Sequence, residues 1–225
     1  PLYGELLLVA QETKAPFIAI TGTNGKTTTT ALTGHILKEA GKEVFVGGNI
    51  GIPLIQGAPQ VSPEGFVVGE ISSFQLERPG SFAPQIAAVL NITPDHWDRH
   101  GDMAGYIRAK AQIFRQQKPE DILVLNADDA TTAALALEAP SRVIFFSREK
   151  QLEQGVFVAD GQIVLQTAEK RINILPVAEL YIKGGHNLAN ALAAVAMCYY
   201  AGLTPQEIAE GLKSFQGVAH RQEVV

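Results

Sequence analysis

The sequence predicts an α/β protein: a mainly parallel sheet with helices on both faces, plus a small antiparallel sheet at about 151–180. Three observations carry that prediction. Short apolar runs alternate with helix-like segments, the pattern of a parallel sheet built from β-α-β units. Glycine-rich turns follow the first two runs, at Gly22 to Gly25 and Gly47 to Gly51. From Gly155 to Pro176 the pattern changes to three short β runs, with Asp160-Gly161 joining the first two as a hairpin. One domain is expected, with its main part at 15–150 and 181–225 and the smaller sheet between them.

Composition narrows the function classes. The 225 residues are 46% hydrophobic and 18% charged, enough to bury a core. A net charge of −5 argues against a general nucleic-acid binder. No run approaches the ~18 apolar residues of a membrane span. The one cysteine, Cys198, lies in an apolar helical pattern and reads as a core thiol from a reducing compartment. The chain begins without Met and stops at Val224-Val225 within an apolar run, so an excised piece of a longer protein is expected.

The first element is a short helix within 1–14. Phe17-Ile18-Ala19-Ile20 is then a buried strand. Gly22 and Gly25 follow, then Lys26, Thr27 and a helix carrying Leu32, Ile36 and Leu37. Strand, glycine-rich turn, Lys-Thr and helix form a site for a nucleotide triphosphate. Backbone N–H groups and the helix N-terminus face the phosphates. Lys26 reaches the β/γ-phosphates, and the Thr27 hydroxyl sits on Mg²⁺. The general pattern G-x-x-x-x-G-K-[ST] is not met, because Ile20 stands where its first glycine belongs.

Val44 to Val46 make a second strand, and Asn49 lies among the glycines after it, in what is equally an ordinary turn. The run at 66–71 ends near Glu70, where a Mg²⁺-directed carboxylate is expected in a nucleotide-binding sheet; a capping or surface acid is the alternative. Ser72 to Gln75 begin a short helix. Ile86 to Ile92 form a strand that runs into Asn91-Ile92-Thr93-Pro94-Asp95-His96-Trp97-Asp98-Arg99-His100. Imidazole in that cluster suits a divalent ion, a phosphate or a carboxylate.

A helix is expected from about Asp102 to Gln117, with Lys110 snorkelling from its flank. Strands follow at 122–126 and 143–146, with Asp128 or Asp129 capping the helix between them. Asn187 and Asn190 share one side of the first turn of a helix after Gly184-Gly185; they either cap it or read an adenine edge. Thr204, Pro205 and Glu207 start a last helix with a capping box.

With these pieces assembled, the sequence resembles the central ATPase domain of the Mur ligase family. The resemblance rests on "TGTNGKTTT" at 21–29, "GGNIG" at 47–51, "GEISSFQLE" at 69–77, "NITPDHWDRH" at 91–100, "YIRAKAQIF" at 106–114, "LNADD" at 125–129, "GGHNLANALAA" at 184–194 and "HRQEVV" at 220–225. "GGNIG" with "SSFQLE" points to the D-glutamate-adding member. The loop without a glycine at position 20 is the family's own version.

The resemblance implies that ATP phosphorylates the carboxylate of UDP-N-acetylmuramoyl-L-alanine, and that the amine of D-glutamate attacks the acyl phosphate. It implies that Gly22, Thr23, Asn24, Gly25, Lys26, Thr27 and Thr28 hold the ATP phosphates, that Asn187 and Asn190 lie by the adenine, and that Arg221 approaches the phosphates. Thr27 and Glu70 would bind one Mg²⁺, and His96 a second Mg²⁺ or the substrate carboxylate. Lys110 would carry a CO₂-derived carbamate as an anionic ligand to Mg²⁺, reversing the snorkelling reading. Asn49, Ser72 and Gln75 would face the muramoyl-alanine end. Lys26, His96 and Lys110 are the implied catalytic residues.

The family's UDP-binding and amino-acid-binding domains do not fit in this chain. The piece alone is expected to bind nucleotide weakly and to form no product. A cytoplasmic monomer with no nucleic acid or membrane partner is expected. The alternatives are another amide ligase of the family, a folylpolyglutamate synthase, or a nucleotide-dependent regulatory module.

Overall fold

A computed structural model describes residues 4–49, 51–93 and 102–218. The strands are β1 (Phe17–Thr21), β2 (Val44–Gly48), β3 (Phe66–Glu70), β4 (Ile86–Val89), β5 (Ile122–Asn126), β6 (Arg142–Ser147), β7 (Gly155–Ala159), β8 (Gln162–Gln166) and β9 (Arg171–Pro176). The helices are α1 (Glu5–Glu12), α2 (Lys26–Glu39), α3 (Leu54–Gly57), α4 (Met103–Ala111), α5 (Ala130–Ala134), α6 (Gly185–Tyr200) and α7 (Pro205–Ser214). Among the described residues no helix is long and apolar enough to cross a membrane.

The strands form one sheet in the order β2-β3-β1-β4-β5-β6-β7-β8-β9. Pairing is parallel from β2 to β7 and antiparallel from β7 to β9. Side chains alternate across a strand, so each strand feeds two cores. In β1, Ile18 and Ile20 face α2, α6 and α7, packing with Leu32, Ile36, Leu192, Val195 and Ile208. Phe17 and Ala19 face the other way, into a second core with Leu6, Val9, Leu54, Tyr106 and Phe114. Helices thus cover both faces, as the alternating pattern predicts. Cys198 lies fully buried in the first core, and burial pushes its thiol up.

The antiparallel strands are present and are appended to the main sheet, which they continue from β6. β7 pairs with β6 through Phe146↔Val156 and Ser147↔Phe157. Gly155 permits the approach: a Cβ there would lie 2.2 Å from the Phe145 carbonyl oxygen. The hairpin at Asp160-Gly161 and the third strand stand as expected.

The helix expected to reach Gln117 ends at Ala111. Beyond it, the N–H groups of Gln112, Ile113 and Phe114 donate to the carbonyls of Ala109, Lys110 and Ala111, three residues back. That tighter winding closes the helix. The Gln117 amide then bonds the Pro84 and Ile122 carbonyls at the amino ends of β4 and β5. Asp129, not Asp128, caps α5 through Thr132 N–H at 2.8 Å. The capping box of α7 is formed as predicted, with Thr204 and Glu207 bonded reciprocally.

Helix α7 meets α2 at Gly211. A Cβ on Gly211 would lie 2.8 Å from Ile36 Cα, a backbone atom that cannot swing aside. Gly211→Ala gains about 1 kcal/mol of helix propensity but overpacks the contact by about 1–3 kcal/mol. A net loss of about 1 kcal/mol is expected in urea unfolding; an unchanged or higher midpoint would show that α2 and α7 are not this close.

Candidate nucleotide site

The connections of β1 and β4 leave in opposite directions: the chain after β1 goes out to β2, while that after β4 proceeds to β5. This reversal opens a crevice at the carboxyl ends of the two strands, where ligands of open α/β sheets bind. The Gly22–Gly25 turn lies on one side of it and the chain at Leu90 to Thr93 on the other.

The turn is held from several elements. Gly25 stands at the start of α2 with φ 82°, a left-handed conformation open to glycine. A Cβ there would also lie 2.3 Å from Asn190 Oδ1, so α6 closes the space from its own side. The Lys26 ammonium folds back over the turn, donating to the Gly22 and Thr23 carbonyls at 2.9 Å each. Thr29 N–H makes the first bond inside α2, to Gly25 O at 2.9 Å. The N–H groups before it are those a helix start leaves without intrahelical acceptors. Thr27 and Thr28 sit half-buried on that first turn. The arrangement concentrates N–H dipoles and a lysine charge at one point, which is what a polyphosphate requires.

Lys110 is not a snorkelling lysine. It is 1% exposed. Its ammonium donates to Gly22 O at 2.9 Å and to Thr21 Oγ1 at 3.4 Å, and lies 4.6 Å from the centre of the Tyr106 ring. Helix α4 presents it inward because Tyr106, Lys110 and Ala111 are its buried side. Two ammonium groups, from Lys26 and Lys110, therefore meet the same carbonyl. The Tyr106 hydroxyl shares a hydrogen bond with Thr23 Oγ1 at 3.3 Å.

Glu70 ends β3 and is 2% exposed, so it is neither a surface acid nor a helix cap. Asn49 donates to it, by its side chain to Oε1 at 3.3 Å and by its backbone N–H to the carbonyl at 2.9 Å. Among the described residues no group of three or more His, Cys, Asp or Glu could hold a metal ion. The oxygen donors Glu70 and Thr27 suit Mg²⁺, which binds through one or two carboxylates and completes its shell with phosphate and water.

Other expected residues spread around this centre. Ser72 donates its N–H and hydroxyl to Gln75 Oε1, both at 2.9 Å, and the Gln75 amide donates to Glu5 at 2.9 Å. The pair closes a turn beside α1. Asn187 donates to Lys183 O at 2.9 Å, while Asn190, 6% exposed, reaches the glycine turn. Three residues apart, the two asparagines have different partners. His96 and Arg221 lie outside the described residues.

A cavity of about 260 Å³ opens beside the turn, lined by Asn24, Asn91, Asn126, Arg148, His186 and Asn190 among others. Asn126, Arg148 and His186 were not singled out by sequence as site residues. Arg148 gave no signal, because only the fold brings β6 to the start of α6; a Cβ on Gly185 would lie 2.2 Å from the Arg148 guanidinium. Asp128 holds this rim, accepting from Ser147 Oγ and from Arg148 N–H at 2.7 Å.

Comparison with known proteins places the chain in a family. The Mur ligase middle domain matches residues 20–198. The chain is 50% identical over 225 residues to a UDP-N-acetylmuramoylalanine--D-glutamate ligase of Pelotomaculum thermopropionicum, covering 100% of this chain and 50% of that one. It is 47% identical over 224 residues to the ligase of the same name from Alkaliphilus metalliredigens, covering 100% and 49%. The chain thus spans about half the length of the relatives it matches. Among solved structures it resembles MurF from Acinetobacter baumannii, with a TM-score of 0.73 at 24% identity, over 98% of this chain and 51% of that one. It also resembles a UDP-N-acetylmuramoyl-L-alanyl-D-glutamate--2,6-diaminopimelate ligase, with a TM-score of 0.74 at 22% identity, over 94% and 48%. Those two likenesses bear on the fold alone. By its family match and by its relatives, the chain belongs to the Mur ligase family.

Proposed function

We propose that this chain is the ATP-binding part of a ligase that adds D-glutamate to UDP-N-acetylmuramoyl-L-alanine through an acyl phosphate. The observation that carries the reading is the buried Lys110 meeting the phosphate-type turn at Gly22. A module that only bound nucleotide has no need of this second internal lysine. The relatives named for the D-glutamate reaction, matched along the whole chain, favour that substrate over a folate.

In this reading Lys26 leaves the Gly22 and Thr23 carbonyls and moves onto the β/γ-phosphates. The N–H groups of Gly25 to Thr28 face the same oxygens. Thr27 and Glu70 hold Mg²⁺, which when bound neutralises phosphate charge. The asparagine-lined cavity takes the nucleoside beside Asn190, and Asn187, on the same first turn of α6, reads the adenine. Asn49, Ser72 and Gln75 face the muramoyl-alanine end. His96 and Arg221 complete the second metal or carboxylate site and the phosphate site. Transfer to a carboxylate asks little covalent help of the protein; positioning and charge supply the rate. The carbamate on Lys110 and the second Mg²⁺ belong to the same proposal, as do action in the cytoplasm as a monomer and the need for the rest of the ligase.

Two sets of variants in the full-length protein check this. Glu70→Gln keeps the shape that pairs with Asn49 but removes the charge. It should lower kcat about 100-fold and raise the Mg²⁺ concentration needed for half-maximal rate. An unchanged Mg²⁺ requirement would remove Glu70 from the metal site. Lys110→Ala should lose ligation of D-glutamate to UDP-N-acetylmuramoyl-L-alanine and regain part of it with short carboxylates. A folded variant that no carboxylate rescues would refute the carbamate.

A further inference from the structure

We propose that Asn91 is the positioning residue that sets the phosphate-binding turn, acting on the nucleotide's phosphates through the Asn24 peptide. The inference rests on the ATP reading of the turn. Asn91 makes three hydrogen bonds to it. Its carbonyl accepts from Thr23 N–H at 3.0 Å, extending the β1–β4 ladder beyond the strand ends. Its side-chain Oδ1 accepts from Asn24 N–H at 2.8 Å, and its Nδ2 donates to Asn24 O at 3.0 Å.

The last two bonds define the role. A single amide side chain takes both polar groups of one residue's backbone, as a further strand residue would. Asn24 is thereby fixed in orientation immediately before Gly25, and its N–H is spent on Asn91 instead of a phosphate. What remains for phosphate is the set that follows, from Gly25 to Thr28. Two further bonds hold the chain at Asn91: Asn126 Nδ2 donates to Leu90 O at 3.0 Å, and Ile92 N–H donates to Asp129 Oδ2 at 3.0 Å. The residues on both sides of Asn91 are thus anchored to the last residue of β5 and to the chain just after it. Only asparagine supplies an acceptor and a donor at this reach; aspartate supplies the acceptor alone.

Asn91 also lines the cavity beside the turn, so a direct contact with the nucleoside is the competing role. The two roles differ in which part of the nucleotide feels the loss. In the full-length protein, Asn91→Ala should weaken ATP binding about tenfold, the loss expected for one or two hydrogen bonds. AMP, which lacks the β- and γ-phosphates, should bind as it does to the wild type. Asn91→Asp, near-isosteric and suited to folding where the truncation is not, should also weaken ATP, because it cannot donate to Asn24 O. Isothermal titration gives both affinities, and thermal unfolding without nucleotide should be nearly unchanged. Equal weakening of ATP and AMP, or wild-type ATP affinity in both variants, would overturn the assignment. Absence of ATP binding by the wild-type protein would instead overturn the ATP reading on which it rests.

Discussion

A turn of a few residues has to carry the chain from a buried strand into a helix while leaving the N–H groups at the helix start without intrahelical acceptors. Everything at the carboxyl ends of the sheet depends on meeting that constraint between Thr21 and Lys26. The turn has no core of its own. It is held by groups brought from other elements: Asn91 after β4, Lys110 and Tyr106 on α4, and Asn190 on α6. Gly22 O is the shared point, accepting from Lys26 and Lys110 together. Removal of any one support loosens the same few peptide groups.

The two cores explain how such distant residues arrive there with precision. α4 packs on one face of the sheet and α6 on the other, and both bring side chains to β1. A buried lysine is tolerable only where its ammonium is bonded, and the Gly22 carbonyl provides that partner. Burial of Glu70 is likewise matched by donors from Asn49. The two buried charges named here, Glu70 and Lys110, lie at or beside the carboxyl ends of the strands, which is where the chemistry is proposed.

Local pattern made part of this legible. The apolar run of β1, the two glycines, Lys26 and the following helix are contiguous in sequence, and the fold keeps them contiguous. Glu70 could be singled out because it ends a buried strand in such a sheet, and its burial sets aside the alternative of a surface acid. Lys110 could not be read from spacing: the residues beside it look like a helix flank, and only the packing of α4 on β1 shows that the flank is internal. Its expected role came from resemblance. Asn91 stands 67 residues from Asn24 in the chain, and no local pattern announces an amide pairing of that kind. The register by which β7 joins β6 was hidden for a similar reason. It depends on two residue pairs and on a glycine that lets one backbone approach another.

The most direct measurement is a crystal structure of the protein with Mg²⁺ and a non-hydrolysable ATP analogue. The β- and γ-phosphates are expected within hydrogen-bond distance of the N–H groups from Gly25 to Thr28, with Lys26 moved onto them and the Asn24 peptide still paired with Asn91. Phosphates bound away from this turn, or bound to an Asn24 N–H released from Asn91, would contradict that expectation.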